Sequence, residues 1–256
     1  MVGAMTLAYD VAGSGPTVVL LHSTVCDRRM WDPQVQPLVD AGFRMVRADF
    51  RGFGETPMPD RPYSDAQDVV DLLDRVGAER VAVVAASGGG RVGQEVAARW
   101  PARVTALVLV STAAGGHEPG AELRAFGERE DALLAAGDVE AATELNLSTW
   151  LGPHADEATR ARVGRMQRHA FEVQLAGDVD VEPIRTEFDV ADITAPALLV
   201  SGAHDLPDFG RIAADLAGRL PRARHVTLDW AGHLPSVERP EVFNALLVEF
   251  LRRGDA

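Results

Sequence analysis

The chain has 256 residues, of which 46% are hydrophobic and 25% charged, as in an ordinary globular protein long enough to bury a substantial core. Its formal net charge of -13 argues against nucleic acid or an anionic membrane as a partner, because both need a basic surface. The single Cys26 excludes an internal disulfide, and we find neither a signal-peptide pattern nor an apolar run of membrane-spanning length, so we expect a cytoplasmic protein.

The first predicted elements are two strands joined by a tight turn. Residues 6–12 and the apolar run 17–21 have the composition of strands, and the sequence Gly-Ser-Gly-Pro between them is typical of a turn. A loop then runs from His22 to Trp31, and Asp32 followed by proline marks the start of a helix. This loop follows the carboxyl end of a predicted strand, which is where sites in open α/β sheets form.

A second unit of strand, turn and helix follows. Residues 43–48 predict a strand that leads into the turn 49–56, with the sequence Asp-Phe-Arg-Gly-Phe-Gly-Glu-Thr. The glycines allow tight bends, and we expect Arg51 in this turn to be structural and not catalytic. Ser64 is the predicted N-cap of a helix whose apolar positions recur at helical spacing up to Gly77.

An apolar run, Val81-Ala-Val-Val-Ala-Ala, ends on Ser87 and is followed by three glycines. The run predicts a strand buried on both faces, and helical spacing returns from Arg91, so Ser87 occupies a sharp turn between strand and helix. Such a turn strains the backbone and needs small residues two positions before and after the serine, as Ala85 and Gly89 are. The pattern is typical of a nucleophile elbow, and a glycine-rich turn that binds phosphate is the alternative.

The remaining strands and helices alternate. Strands are predicted over 104–110, 196–202 and 223–227, and helices over 209–220 and 242–252. Alternating strands and helices of these lengths form parallel sheets with right-handed crossovers. The sequence therefore predicts an α/β fold with a mostly parallel sheet that helices cover on both faces.

The alternation is interrupted over residues 117–190, where the chain is polar and helical. We therefore predict a core formed by residues 1–116 and 191–256, with residues 117–190 inserted as a helical cap over the carboxyl ends of the strands. The insertion holds sixteen acidic residues and seven arginines, which favours a solvated outer face over an acidic groove. Trp150 is its one large aromatic expected to face the pocket, and packing inside the cap is the alternative.

Three polar residues follow predicted strands in an order that suits nucleophilic catalysis. Ser87 follows the apolar run, Asp205 follows the strand 196–202, and His233 follows the last strand. A serine hydroxyl is a poor nucleophile at neutral pH and needs an adjacent base, which in turn needs an acid to fix its tautomer. Because the carboxyl ends of parallel strands meet at one edge of a sheet, we predict a triad of Ser87, Asp205 and His233.

Other candidates for these roles fit less well. His204 is expected to be exposed and His225 lies within a predicted strand, so neither is placed to act as the base. Cys26 has no elbow or helix N-terminus to activate its thiol. No His-Glu-x-x-His or similar spacing occurs, so we predict neither a metal site nor a cofactor.

Taken together, these motifs resemble those of the α/β-hydrolase superfamily over almost the whole chain. The elbow at Ser87, the loop from His22 to Trp31 and the turn 49–56 are similar to the family's, although Ser23 and Thr56 replace its glycine and serine. Within the superfamily, the chain resembles cytosolic bacterial serine esterases and enol-lactonases. The dehalogenases and epoxide hydrolases of this fold have an aspartate at the elbow, so the serine counts against those activities.

The resemblance implies further site residues. The oxyanion hole of the family uses the N–H of the residue after the nucleophile and one from the loop after the early strand, which correspond to Gly88 and Thr24. The family's Gly-x-x-Asp turn corresponds to Gly202-Ala-His-Asp205, which favours Asp205 over Asp208 as the acid.

We therefore expect a cofactor-free serine hydrolase whose partner is a small-molecule carboxylic ester or lactone. His22 and Trp150 are the candidates for substrate binding, and the acidic excess of the cap leads us to expect uncharged acyl groups of short to medium length. Two alternatives use the same fold: a receptor that binds a ligand in the pocket, and a biosynthetic cyclase or carbon–carbon bond hydrolase.

Overall fold

The computed structural model describes residues 7–177, 181 and 183–254. In this part of the chain seven strands form a sheet in the order β1-β3-β2-β4-β5-β6-β7. The strands are β1 (Tyr9–Ala12), β2 (Thr17–Leu21), β3 (Arg44–Ala48), β4 (Val81–Ala86), β5 (Val104–Val110), β6 (Ala197–Gly202) and β7 (Ala223–Leu228). Neighbouring strands pair in parallel, except that β1 pairs antiparallel with β3 at the sheet edge.

Helices connect these strands and cover the sheet. They are α1 (Asp32–Asp40), α2 (Asp65–Arg75), α3 (Gly88–Arg99), α4 (Ala121–Ala135), α5 (Val139–Trp150), α6 (Glu157–Leu175), α7 (Pro207–Arg219), α8 (Pro235–Glu238) and α9 (Pro240–Gly254). Within the described residues, no helix combines the length and the apolar character that crossing a membrane requires.

Strand β2 illustrates how the sheet is buried on both faces. Val19 and Leu21 point into the hydrophobic core that contains residues of α2 and α3, whereas Val18 and Leu20 point into the core that contains residues of α1 and α9. Side chains alternate between the faces of a strand, so an uninterrupted apolar run fits a strand that is covered twice. The predicted α/β-hydrolase fold, with a mostly parallel sheet between helices, is confirmed.

Most predicted boundaries are met within two residues, and two starts, those of β1 and α3, differ by three. Strand β1 begins at Tyr9, and Thr6, which the prediction included, lies outside the described residues. Helix α3 begins at Gly88, whereas helical spacing in the sequence predicted a start near Arg91. The prediction was too late because glycines, which have low helix propensity, occupy the first turn. Their presence is explained by close packing against β2, described below.

Helices α4, α5 and α6 follow β5 and precede β6 along the chain, and we call them the inserted helices. Helix α5 packs against both α4 and α6. The carbonyl of Trp150, at the end of α5, accepts a 2.8 Å hydrogen bond from the His233 N–H, which joins the inserted helices to the loop after β7. Residues 178–180 and 182 of the predicted cap lie outside the described residues, and the division into core and cap stays a prediction.

Candidate active site

Ser87 lies in the turn between β4 and α3, with φ 53° and ψ -121°. A residue with a Cβ adopts this region only when its surroundings impose it. Two strand-end contacts do so: the Ser87 N–H donates to the Val110 carbonyl and the Ser87 carbonyl accepts from the Ala113 N–H, both at 2.9 Å. The backbone around the serine is therefore fixed by the end of β5.

The small residues around the turn are required by the close approach of α3 to the sheet. A Cβ added at Gly89 would overlap the carbonyl oxygen of His22 at the end of β2. One turn later, a Cβ at Gly93 would lie 3.0 Å from the Cβ of Ala85. These contacts place the start of α3, and with it Ser87, directly at the carboxyl end of the sheet.

Asp205 and His233 meet at the same edge of the sheet. Nδ1 of His233 lies 2.8 Å from Oδ2 of Asp205, and both side chains are only 1% exposed. The carboxylate accepts the Nδ1 proton, so the neutral ring carries its lone pair on Nε2. Nε2 is buried and has no hydrogen-bond partner among the described residues. The imidazole is therefore oriented by Asp205 and has one nitrogen free to exchange a proton.

Glu238, which the sequence analysis missed, fixes the loop that carries His233. Its two carboxylate oxygens accept from the N–H groups on either side of the histidine, Gly232 at 2.9 Å and Leu234 at 3.0 Å. Burial raises the pKa of Glu238, while these N–H donors act in the opposite direction. The only sequence signal was a glutamate five positions after the histidine, which does not reveal the contact without the fold.

Aromatic rings surround the His233 imidazole. The ring centroids of Trp150 and Phe209 lie 4.6 Å and 4.3 Å from that of His233, and Phe126 packs on Trp150 at 4.7 Å. The indole N–H of Trp150 donates to the side chain of Asn146 at 2.9 Å. Trp150 is thus packed between the inserted helices and the imidazole, and its assignment as a substrate contact stays a prediction.

Asp208, the rival acid, has other partners. It accepts hydrogen bonds from the His117 ring and the Gly120 N–H, both at 2.7 Å, and forms an ion pair with Arg211. Burial would raise the pKa of Asp208, but the hydrogen bonds from these three groups hold it below its usual value. Asp208 therefore ties the segment before α4 to α7, and the structure brings only Asp205 to His233.

His22 and Cys26 are both fully buried beside the elbow. Nδ1 of His22 donates to the Ser23 carbonyl at 2.8 Å, and Nε2 accepts from the Phe50 N–H at 2.9 Å, so neither nitrogen is free. Burial lowers the pKa of His22 and raises that of the Cys26 thiol. The His22 ring thus links two loops, and its predicted contact with substrate has no free polar atom to act through.

Thr24 and Gly88 lie next to each other at the turn. A Cβ added at Gly88 would lie 2.7 Å from Cγ2 of Thr24. Gly88 is the first residue of α3, so its N–H has no acceptor within the helix, and the Thr24 N–H donates to no described residue. Ser23 has no positive φ, so its place does not demand a glycine. Two unpaired N–H groups beside Ser87 are what an oxyanion hole needs.

A cavity of about 510 Å³ opens beside this turn. Thr24 and Gly88 form one end of it, Phe50 and Phe53 contribute apolar surface, and Arg91 contributes charge. Trp150 and His22 are not among its lining residues. Within the described residues, no group of three or more candidate ligands could hold a metal ion.

Comparison with known proteins gives consistent matches. The profile of the alpha/beta hydrolase family matches residues 18–246. A protein of Variovorax paradoxus named as a carbamate hydrolase, RutD, is 32% identical, with 98% of each chain covered. A Bacillus subtilis protein named as a 2-succinyl-6-hydroxy-2,4-cyclohexadiene-1-carboxylate synthase is 29% identical, covering 95% of this chain and 94% of that one. The enol-lactonase from Burkholderia xenovorans is similar in structure, with a TM-score of 0.78, 27% identity and 96% of each chain covered.

Proposed function

Because the chain belongs to the α/β-hydrolase family, we propose that it is a serine hydrolase that cleaves a small carboxylic ester or lactone. Ser87 is the nucleophile, His233 the general base and acid, and Asp205 the group that orients His233. The N–H groups of Gly88 and Thr24 form the oxyanion hole. No cofactor or metal takes part in this mechanism.

The reaction proceeds in two halves. Nε2 of His233 takes the Ser87 hydroxyl proton as Oγ attacks the ester carbonyl, and the negative charge on the carbonyl oxygen is stabilised by the two N–H groups. Collapse of the tetrahedral intermediate breaks the ester bond, His233 gives the proton to the leaving oxygen, and an acyl-enzyme remains on Ser87. Water then attacks the carbonyl of the acyl-enzyme while His233 takes its proton. The second tetrahedral intermediate breaks the bond to Ser87, His233 returns the proton to Oγ, and the acid is released. A lactone differs only in that the leaving oxygen stays attached to the acyl group.

One observation carries the proposal. His233 has Nδ1 held 2.8 Å from Asp205 and a buried Nε2 without a partner, at the same sheet edge as a serine in a strained turn. A structural histidine would have both ring nitrogens paired, as His22 has. The similarity to an enol-lactonase supports an ester-like bond, and that to a carbamate hydrolase supports the wider class of acyl substrates.

A fluorophosphonate probe and a panel of 4-nitrophenyl esters and lactones test the proposal. The wild-type protein should be labelled once, and Ser87→Ala should abolish labelling and lower kcat by about a thousandfold or more. Ser111→Ala is the matched control, because Ser111 is also buried with a positive φ, at the end of the neighbouring strand. It should be labelled like the wild type. Labelling of Ser87→Ala would remove Ser87 from the mechanism.

The synthase named in Bacillus subtilis favours one second candidate, a biosynthetic reaction on the same fold. The two candidates differ in the covalent step. A hydrolase forms an acyl-enzyme on Ser87 that accumulates before steady state with activated esters, whereas labelling by the probe without turnover of any ester or lactone would favour the second candidate or a receptor.

A further inference from the structure

The cavity adjoins the turn that carries Ser87 and offers space for the rest of a bound substrate, although Ser87 and His233 themselves do not line it. One end is formed by Thr24 and Gly88, whose N–H groups we assign to the oxyanion hole. Several charged side chains line the rest of the cavity. Those that have no partner within the protein can bind a charged group of the substrate, so the partners of each determine what the cavity accepts.

Two charged groups in the cavity are already paired with protein partners. The guanidinium of Arg51 binds both oxygens of Asp68, at 2.6 Å and 2.7 Å. The carboxylate of Glu95 accepts a 2.7 Å hydrogen bond from Arg99. Their charges are therefore largely satisfied within the protein.

Two arginines of the cavity are less fully paired, because neither donates a hydrogen bond to a described residue. Arg91 makes no hydrogen bond with any described residue; it forms a long ion pair with Glu95, at 3.7 Å, and shares that carboxylate with Arg99, which binds it at 2.7 Å. Arg185 forms neither an ion pair nor a hydrogen bond within the part of the chain that the structure describes. Opposing them is one carboxyl, Asp65, which also has no hydrogen bond or ion pair with a described residue. Among the described residues that line the cavity, Arg185 and Asp65 thus have no ion-pair partner, and the donor groups of Arg91 are free of hydrogen bonds.

Asp65 is a weak competitor for these arginines. Burial, together with the nearby charge of Asp68, raises the pKa of Asp65 to about 6. A carboxyl with a raised pKa gives up its negative charge more readily than an ordinary aspartate. An anionic ligand group can therefore occupy the space in front of Arg91 without facing a fully charged neighbour near pH 6.

We propose that the cavity binds a carboxylate on the substrate, so that the ester or lactone cleaved at Ser87 also carries an acidic group held by Arg91 and Arg185. This inference rests on the proposed hydrolase function. Arg91 lies three residues after Gly88 on α3, which is less than one helical turn of 5.4 Å. The carboxylate is therefore separated from the reacting carbonyl by a short chain, which Phe50 and Phe53 can contact. The substrate class is a half-ester or lactone of a short dicarboxylic acid.

The proposal differs from the uncharged acyl group that the sequence led us to expect. That expectation used the acidic excess of residues 117–190, but Glu140 and Glu144 of this region have side chains 85% and 62% exposed. Exposed charges about a Debye length or more from a site, roughly 8 Å at physiological salt, are largely screened there. The charges that line the cavity decide recognition, and the two arginines among them that make no hydrogen bond with a described residue, Arg91 and Arg185, come from α3 and from the segment before β6.

Two esters with the same number of carbon atoms in the acyl chain test the proposal. Mono-4-nitrophenyl adipate carries a terminal carboxylate, and 4-nitrophenyl hexanoate does not. The wild-type protein should hydrolyse the adipate with a kcat/KM about tenfold higher or more. Arg91→Gln should lower this adipate-to-hexanoate ratio by about tenfold, mainly through KM of the adipate, because it removes a charge-assisted hydrogen bond. Arg91→Lys, which keeps the charge but not the fork of donors, should give an intermediate ratio.

Arg219→Gln is the control variant, since Arg219 lies on α7, outside the cavity lining, and is paired with Asp215. It should keep the wild-type ratio. Each ratio is measured within one protein preparation, so partial loss of folded enzyme cancels. A wild-type ratio of one or less, or the same ratio in Arg91→Gln, would overturn the carboxylate site while leaving the hydrolase function standing. Failure to cleave either ester, with Ser87 unlabelled, would overturn both.

Discussion

At the scale of single residues, the structure distinguishes two aspartates that were both candidates for the acid that orients His233. Asp205 and Asp208 are three positions apart and both follow β6, yet only Asp205 faces His233. Asp208 instead accepts hydrogen bonds from His117 and Gly120, on the segment before α4. The first aspartate is placed to act on the imidazole, and the second to hold the inserted helices against α7.

Matched asparagine variants of the two aspartates test this separation. Asp205→Asn should lower kcat by about a hundredfold or more, because an amide can favour the wrong tautomer of the imidazole. Asp208→Asn should lower the free energy of unfolding by roughly 1–3 kcal/mol, because a buried charged acceptor is lost, with kcat reduced only a few-fold. Steady-state kinetics and urea denaturation measure the two effects. If Asp208→Asn is the variant that loses the rate, the acid is assigned wrongly.

Glu238 gives a second prediction on the scale of a single residue. A glutamine there can accept with only one oxygen, so either Gly232 or Leu234 would be left with a buried, unpaired N–H. We expect Glu238→Gln to lower the free energy of unfolding by about 1–3 kcal/mol and to lower kcat as well, since the same loop positions His233. Glu241→Gln is the control, because Glu241 is exposed. Unchanged stability and kcat in Glu238→Gln would show that the loop is held by other contacts.

The sequence could nominate Ser87, Asp205 and His233 because each follows a strand and their order has a chemical meaning, and the structure brings Asp205 and His233 together. Their roles stay predictions. Glu238 and Arg91 could not be nominated in the same way. Glu238 matters because it binds two backbone N–H groups, and Arg91 because it lines the cavity. Spacing along the chain reveals neither contact.

On the scale of secondary structure elements, the buried strands were the most predictable part of the molecule. The apolar runs ending at Leu21, Ala86 and Val110 form strands within a residue of the predicted bounds, because a doubly covered strand must be apolar throughout. The start of α3 was less predictable. Its glycines oppose a helix by propensity, and only packing against the end of β2 explains why they begin one.

Alanine substitutions at two helical glycines distinguish the effect of close packing on stability from that of helix propensity. At Gly89 a Cβ would overlap the carbonyl of His22, which belongs to the backbone and cannot turn away. We expect Gly89→Ala to lower the free energy of unfolding by about 1–3 kcal/mol. At Gly127, inside α4, an added Cβ would have no atom within 4 Å, so Gly127→Ala should raise stability by up to about 1 kcal/mol. Urea denaturation gives both values, and a neutral or stabilising Gly89→Ala would contradict the close approach of α3 to β2.

Considered as a whole molecule, the chain is strongly acidic, but its charges are unevenly placed. Exposed glutamates of the inserted helices contribute to the net charge of -13, whereas Arg91 and Arg185 line the cavity. Net charge describes the long-range field, which salt screens, and not the pairing inside a cavity. The composition therefore bears on partners that respond to the long-range field, and it carries no information about the substrate of the cavity.

The pH dependence of substrate preference connects the cavity with the triad. The charged and titratable groups around Asp65 are Tyr63, Asp68, Arg51, Arg91, Glu95 and Arg185. With a pKa of about 6, Asp65 is almost fully ionised at pH 8 and about half protonated at pH 6, so about half of the negative charge that competes for the arginines is removed over this range. A substrate carboxylate stays ionised over this range, because its pKa is near 4.

The ratio of kcat/KM for mono-4-nitrophenyl adipate to that for 4-nitrophenyl hexanoate should therefore rise by about threefold or more as the pH falls from 8 to 6. Both esters use the same triad, so its own titration cancels from the ratio. Asp65→Asn should give a high ratio that no longer depends on pH, whereas Asp71→Asn, an exposed neighbour on α2, should behave like the wild type. A ratio that is independent of pH in the wild type, or lower in Asp65→Asn than in the wild type at pH 8, would show that Asp65 does not compete with the substrate. Binding of the substrate carboxylate by Arg91 and Arg185 would then not depend on the protonation of Asp65.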